Sequence, residues 1–219
     1  MLDTLGQEIV SGVLAAGSVL RVDAAESRFG VSRSVVREAV RVLESMQLVS
    51  ARRRVGITVQ PAEQWNPYAP LIIRWRLAGP DRWVQLQALS ELRSGIEPVA
   101  ARLAAARATP AQCGALTAAV IGMSVTARAR DLEAYLAHDV QFHRTLLIAS
   151  GNVMFAGLAT VVEELLAGRT HHHLMPDVPE AEAIRLHGAV ATAVQSGHAD
   201  EAEHAMRAIV VEAAQALGV

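Results

Sequence analysis

Residues 29–59 read FGVSRSVVREAVRVLESMQLVSARRRVGITV. Gly30 can take the left-handed turn that closes one helix before another begins, and Ser32 is placed to cap the second. Behind Ser32 the apolar positions Val36, Val40 and Leu43 recur at helical spacing, with Val35, Ala39 and Val42 beside them. Arg33, Arg37, Arg41 and Glu44 form the opposite, polar stripe. After Met46 the period changes. Leu48 to Ala51 and Ile57 to Val59 are β-prone runs joined by Arg52-Arg53-Arg54-Val55-Gly56, which predicts a basic hairpin. Upstream, Leu2, Leu5, Ile9 and Val13 predict one amphipathic helix that has stopped by Gly17, and Asp23 to Phe29 predicts a short second helix. Helix, turn, helix and basic hairpin make a winged helix-turn-helix.

That arrangement has a chemistry. An α-helix fits the major groove of DNA, and the residues at its start reach base edges and phosphates. Ser32, Arg33, Ser34 and Arg37 hold those leading positions, short hydroxyls permitting close approach and guanidinium forks binding guanine or phosphate in pairs. Arg52, Arg53 and Arg54 would lie along an adjacent groove or backbone. A solvated arginine face, or a winged helix that binds protein, is the plainer alternative for the same residues.

The remainder of the 219-residue chain has a different texture. Residues 1–62 are expected to form the winged helix-turn-helix domain. Pro61, Pro67, Pro70, Gly79 and Pro80 interrupt any period, so 63–82 reads as a linker, although Leu71 to Leu77 could form a short helix. From Trp83 to the end the sequence is rich in Ala, Leu, Arg and Glu, with breaks at Thr109-Pro110, Gly114, Gly151-Asn152, Met175-Pro176 and Gly197; residues 83–219 predict six or so helices in a bundle. The fold class is therefore mainly α. Net charge is −2, which excludes a wholly basic nucleic-acid coat protein, yet the stretch from Arg33 to Arg54 is locally positive. No uninterrupted apolar run of about 18 residues, the length of a membrane span, is present, and the start lacks the regions of a secretory signal, which points to a cytoplasmic protein without a membrane partner. One cysteine, Cys113, allows neither an intrachain disulfide nor a multi-cysteine zinc site, and it reads as core filler.

Within the helical region Asp139 and His143 stand four residues apart, on one face of a helix. Such a pair can chelate a metal or simply hydrogen-bond to itself. His171, His172 and His173 are adjacent in sequence, so on a helix they point different ways, and an exposed loop suits them better than a shared ion. Asn152 reads as a cap or turn residue. Trp65, Trp75 and Trp83 gather around the linker and suggest packing between domains or subunits.

Residues 29–59 resemble the signature of GntR-type bacterial regulators: the glycine, Val-Ser-Arg and Arg-Glu-Ala fall in that family's order and spacing. ELRSGIEPVAARLAAARAT, from Glu91, and DVQFHRTLLIASGN, from Asp139, are similar to the FCD-type helical ligand-binding domain of the family's FadR-type branch. The resemblance implies a transcriptional regulator and not an enzyme. It implies a homodimer that binds a palindromic double-stranded DNA operator, acts as a repressor, and loses or gains operator affinity with a small organic-acid effector such as a sugar acid. It implies DNA contacts by Ser32, Arg33, Ser34, Arg37 and the wing at Arg53 and Arg54. The family commonly starts its second helix with a Pro-x-Glu-Arg-type stretch, whereas this chain has Leu20-Arg21-Val22-Asp23-Ala24; Arg21 or Arg28 would replace the missing contact only in part. In the helical domain the resemblance implies a metal site at Asp139, His143 and His187, with the family's fourth ligand position occupied by Ile209, which cannot ligate. His204 lies on the same helix but off that face. Zinc, nickel, iron or manganese suits two imidazoles and a carboxylate. Arg93 would stand at the pocket's edge, where its guanidinium fits an effector carboxylate. Two rival readings stay open at this point: an enzyme using Asp139, His143 and His187 as a two-His, one-carboxylate centre, and an adaptor whose winged helix binds protein.

Overall fold

The computed structural model describes residues 1–52, 56–174 and 181–218. The chain divides into two compact units, Met1–Arg82 and Trp83–Val219.

In the first unit α1 (Leu2–Val10), α2 (Val22–Phe29) and α3 (Arg33–Ser45) pack beside a three-stranded antiparallel sheet of β1 (Val19–Leu20), β2 (Val49–Arg52) and β3 (Gly56–Val59), in the order β1-β3-β2. Val49 pairs with Val59 and Arg52 with Gly56, which makes β2–β3 the expected hairpin. Gly30 caps α2 at φ 62° and returns its N–H to Glu26 O, the left-handed turn that glycine accepts without strain. Leu5, Ile9, Val36, Val40, Leu43, Leu48 and Val59 share the core. The single N-terminal helix expected to run through Val13 instead closes at Val10: Gly12 turns the chain at φ 77°, Val13 is 73% exposed, and the following segment supplies β1. Val35 and Val42 face outward, so α3 buries only the Val36, Ala39, Val40, Leu43 stripe.

The segment expected to be a linker holds η1 (Ala62–Gln64) and α4 (Pro70–Ala78), and α4 belongs to the first unit's core. The physical reason is apolar: Ile72 and Trp75 are buried there, and Trp75 Nε1 donates to Asp3 Oδ1 at 3.0 Å. The Trp75 ring lies flat against α1 over Gly6, where a Cβ would come within 2.3 Å of it, so this approach requires glycine. Trp75 therefore seals this unit from within, and Trp83 is 53% exposed.

The second unit is entirely helical among the described residues: α5 (Arg82–Arg107, entering from the first unit), α6 (Pro110–Ala129), α7 (Leu132–Ala149), α8 (Val153–Gly157), α9 (Ala159–His171), α10 (Ala181–Ser196) and α11 (Ala199–Leu217). Thr109 and Gln112 form a reciprocal capping box at the start of α6, and Asn152 caps α8 by accepting from Met154 N–H at 2.9 Å. Gly114 lies inside α6 and breaks nothing. α6 is long and apolar enough by composition to cross a membrane. Here it packs on α7 and α10 through Leu116, Ala119 and Met123. The core is built on Phe142, Leu146, Met123, Val190 and Met206, with a second cluster of Ala100, Leu147, Val162 and Leu166.

Candidate nucleic-acid interface and metal centre

The first unit presents one polar face. Ser32, Arg33, Ser34, Arg37 and Arg41 are all exposed along α3. Ser32 occupies the N-cap position with extended backbone, but its hydroxyl does not cap: it lies 2.8 Å from Ser34 Oγ. Among the described residues the first-turn amides of α3 are thus left with no side-chain partner, and amides at a helix start form an anion site reinforced by the helix dipole. Arg37, Arg41, Glu44, Arg52 and Gly56 line a groove of about 370 Å³ between α3 and the hairpin. Glu44 ties the two together by accepting from Ala51 N–H at 2.9 Å, and Arg41 is paired with Glu38. Arg53 and Arg54 lie outside the described residues. Arg21 is paired with Asp23 at 3.2 Å and Arg28 with Glu8, so an acid neighbour offsets each of the two arginines expected to substitute for the missing upstream contact.

The second unit encloses its polar groups. α7 places Asp139 and His143 one turn apart, α10 brings in His187, and α5 adds Arg93 and Glu97, also one turn apart; all five are buried. His187 Nδ1 lies 2.6 Å from Ala183 O, and a carbonyl only accepts, so Nδ1 carries a proton and Nε2 faces inward. That Nε2 is 3.3 Å from Asp139 Oδ1 and 3.4 Å from His143 Nε2. His143 Nε2 is itself 3.3 Å from Asp139 Oδ1, while its Nδ1 faces Glu97 Oε2 at 3.1 Å, within ion-pair reach but off the axis of a hydrogen bond. Phe142 packs its ring edge against His187 with centroids 4.8 Å apart.

Glu97 was not legible as a site residue, although its i,i+4 spacing from Arg93 repeats that of Asp139 and His143. Arg93 donates to it through both Nε (2.9 Å) and Nη2 (3.0 Å). Burial alone would raise the Glu97 pKa, but Arg93 and His143 outweigh it and hold the carboxyl at about 2. Burial likewise works against the charge on Asp139, yet the two imidazoles keep it well below the usual carboxylate range. For His143 burial lowers the pKa and the Glu97 and Asp139 charges more than restore it, against opposition from Arg93, leaving it raised.

The three inward atoms of Asp139, His143 and His187 lie within 4.8 Å of one another. Asp139 Oδ1 is buried and accepts no hydrogen bond from the described residues, an arrangement that costs free energy unless a cation takes the lone pair. Two imidazole nitrogens and one carboxylate oxygen match a first-row divalent ion. Ile209 sits in the apolar core and His204 is exposed, so α11 adds no ligand at either position. His171 ends α9, exposed, 3.3 Å from Glu133, away from this cluster.

The sequence also matches two family descriptions: "Bacterial regulatory proteins, gntR family" over residues 2–59 and "FCD domain" over residues 88–212. The chain belongs to the gntR family and carries an FCD domain. The gntR match spans the winged helix, and the FCD match spans the unit that encloses the Asp-His-His cluster. Among relatives of this gntR-family regulator, the galactonate operon transcriptional repressor of Escherichia coli K12 is 29% identical over 98% of this chain and 93% of its own length. An HTH-type transcriptional regulator of Mycobacterium tuberculosis is 35% identical over 77% of this chain and 67% of its own. The solved structure of E. coli McbR/YncC shares the fold, with a TM-score of 0.59 and 17% identity over 99% of this chain and 94% of that one. The protein is a transcriptional regulator, and the family's members are regulators, not enzymes.

Proposed function

We propose that this regulator is a homodimeric repressor of the FadR-type branch, acting in the cytoplasm on a palindromic operator and released from it by a sugar acid or similar organic acid. The observation that carries the DNA half is the exposed start of α3, where Ser32, Arg33, Ser34 and Arg37 surround first-turn amides that no side chain among the described residues caps. Phosphate oxygens fit those amides, and Arg33 and Arg37 take base edges or phosphates beside them. Arg52 flanks the same groove, with Arg53 and Arg54 following it in sequence.

The sensing half rests on the buried cluster. Five buried ionisable groups are poor stabilisers, since an apolar replacement of similar volume commonly does as well, so their presence together marks a site. Asp139, His143 and His187 would hold a divalent ion, which supplies Lewis acidity toward carboxylate and hydroxyl oxygens. Glu97 lies within ion-pair reach of His143 at 3.1 Å, Ala183 O accepts from His187 Nδ1, and Arg93 borders the cluster at 3.3 Å from His143 Nε2. The galactonate operon repressor among the relatives supports an acid of the sugar type.

The test is fluorescence anisotropy on duplexes tiled across the DNA upstream of the regulator's own gene, in a salt series. One duplex should bind specifically, with log affinity falling against log salt by about 0.9 per phosphate contact. D-galactonate and related acids, with zinc or manganese present, should then weaken that binding. Absence of any salt-dependent duplex binding sinks the DNA half; operator binding that no acid alters sinks the sensing half alone.

A further inference from the structure

Arg93 is poorly placed to do the work its chemistry suggests. A carboxylate ligand is best taken by the two parallel N–H bonds of a free guanidinium edge. In Arg93 the edge made by Nε and Nη2 is already closed on Glu97, at 2.9 and 3.0 Å, and the same Nη2 lies 3.3 Å from His143 Nε2. Glu97 is fully buried and ionised, so releasing that edge would strand a charge in the interior.

A second guanidinium comes from the last turn of α9. Arg169 is half-buried, and its Nε is sealed from solvent with no hydrogen-bond partner among the described residues. An arginine serving only the helix C-terminus would turn its head toward water or the last carbonyls; this one turns Nε inward. Burial and repulsion from Arg93 lower its pKa, with Asp139, Tyr135 and Glu212 acting in the opposite direction. Asp139 faces the two imidazoles and Tyr135 is held neutral by burial, so neither answers the Arg169 Nε–H. The charges that act on Arg169 place it beside the Asp139 and Arg93 cluster, where it brings a buried Nε with no hydrogen-bond partner among the described residues.

We propose that Arg169 is the residue that anchors the effector's carboxylate, and that Arg93 is a positioning residue that locks Glu97 and His143. The inference rests on the sensing half of the function proposed above. It assigns the ligand a monocarboxylate head, met by the Arg169 guanidinium through its unpartnered Nε.

The test uses the full-length protein loaded with zinc, with thermal-shift titrations of D-galactonate and other sugar acids against their neutral sugar counterparts. Wild type should be stabilised by at least one acid and by no neutral sugar. R169Q should weaken that acid by about 10- to 100-fold, with zinc content and the ligand-free melting temperature unchanged, and R169K should recover part of the loss. R93Q should instead lower zinc content. R169Q and R169K that both bind the acid like wild type overturn the proposal and leave the sensing reading standing. A wild type that no acid stabilises overturns both, while operator binding is unaffected. If R169Q does not fold, R169K decides: it keeps the charge and loses the fork, so an unchanged affinity is the overturning result.

Discussion

The two units use the same kinds of side chain in opposite ways. In the first, Arg33 and Arg37 stand exposed on a helix whose apolar stripe alone holds it to the core, so removing them subtracts nothing from the packing. In the second, Arg93, Glu97, Asp139, His143 and His187 are buried and mutually dependent, so each is both a site residue and a structural one. Function and stability separate in the first unit and are fused in the second. The difference follows from the ligand: a duplex arrives from outside and needs a surface, whereas a small anion is recognised best where water is excluded.

The largest effect that probes this contrast is on DNA. R33A/R37A should lose about 2–6 kcal/mol of operator binding, read by anisotropy, with an unchanged melting temperature; a comparable loss of stability would break the contrast. In the second unit E97A leaves Arg93 buried without its partner, and should cost about 3–5 kcal/mol in denaturant unfolding followed by far-ultraviolet circular dichroism. Stability should also depend on pH through the same group. The Glu97 pKa is depressed from 4.5 to about 2 on folding, so its contribution is present above pH 4.5 and lost as pH falls toward 2. E97Q should flatten that part of the metal-free protein's acid-unfolding curve, and a curve of unchanged slope would remove Glu97 from the account. G6A drives a Cβ into the Trp75 ring and should destabilise the first unit by about 1–3 kcal/mol, visible in tryptophan fluorescence. Smallest, N152A removes the cap of α8 and should cost about 1 kcal/mol without touching operator affinity.

Much of the first unit was legible because its signals are local. Gly30, the Val36-Val40-Leu43 stripe and the change of period after Met46 each depend on residues a few positions apart. What failed there was also instructive. Val13 fits a helical stripe that Gly12 cuts off, and residues 70–78 look like punctuation until Trp75 finds Gly6, some seventy residues earlier. Asp139 and His143 were readable as a pair because one helix turn joins them. His187 entered only through resemblance, and Glu97 could have been found by asking which acid stands one turn from Arg93.

Sequence alone determined the periods: which faces are apolar, where α2 must turn, and that an arginine stripe begins behind a serine. These are properties of short stretches, set by φ/ψ preference and side-chain spacing. Tertiary structure decided the pairings. That Glu97 takes the fork of Arg93, that the two imidazoles turn Nε2 toward one carboxylate oxygen, and that Arg169 comes from α9 with its Nε unanswered all depend on how α5, α7, α9 and α10 meet. Such meetings bring together residues up to about a hundred positions apart, and buried charges choose partners by distance in space and not along the chain.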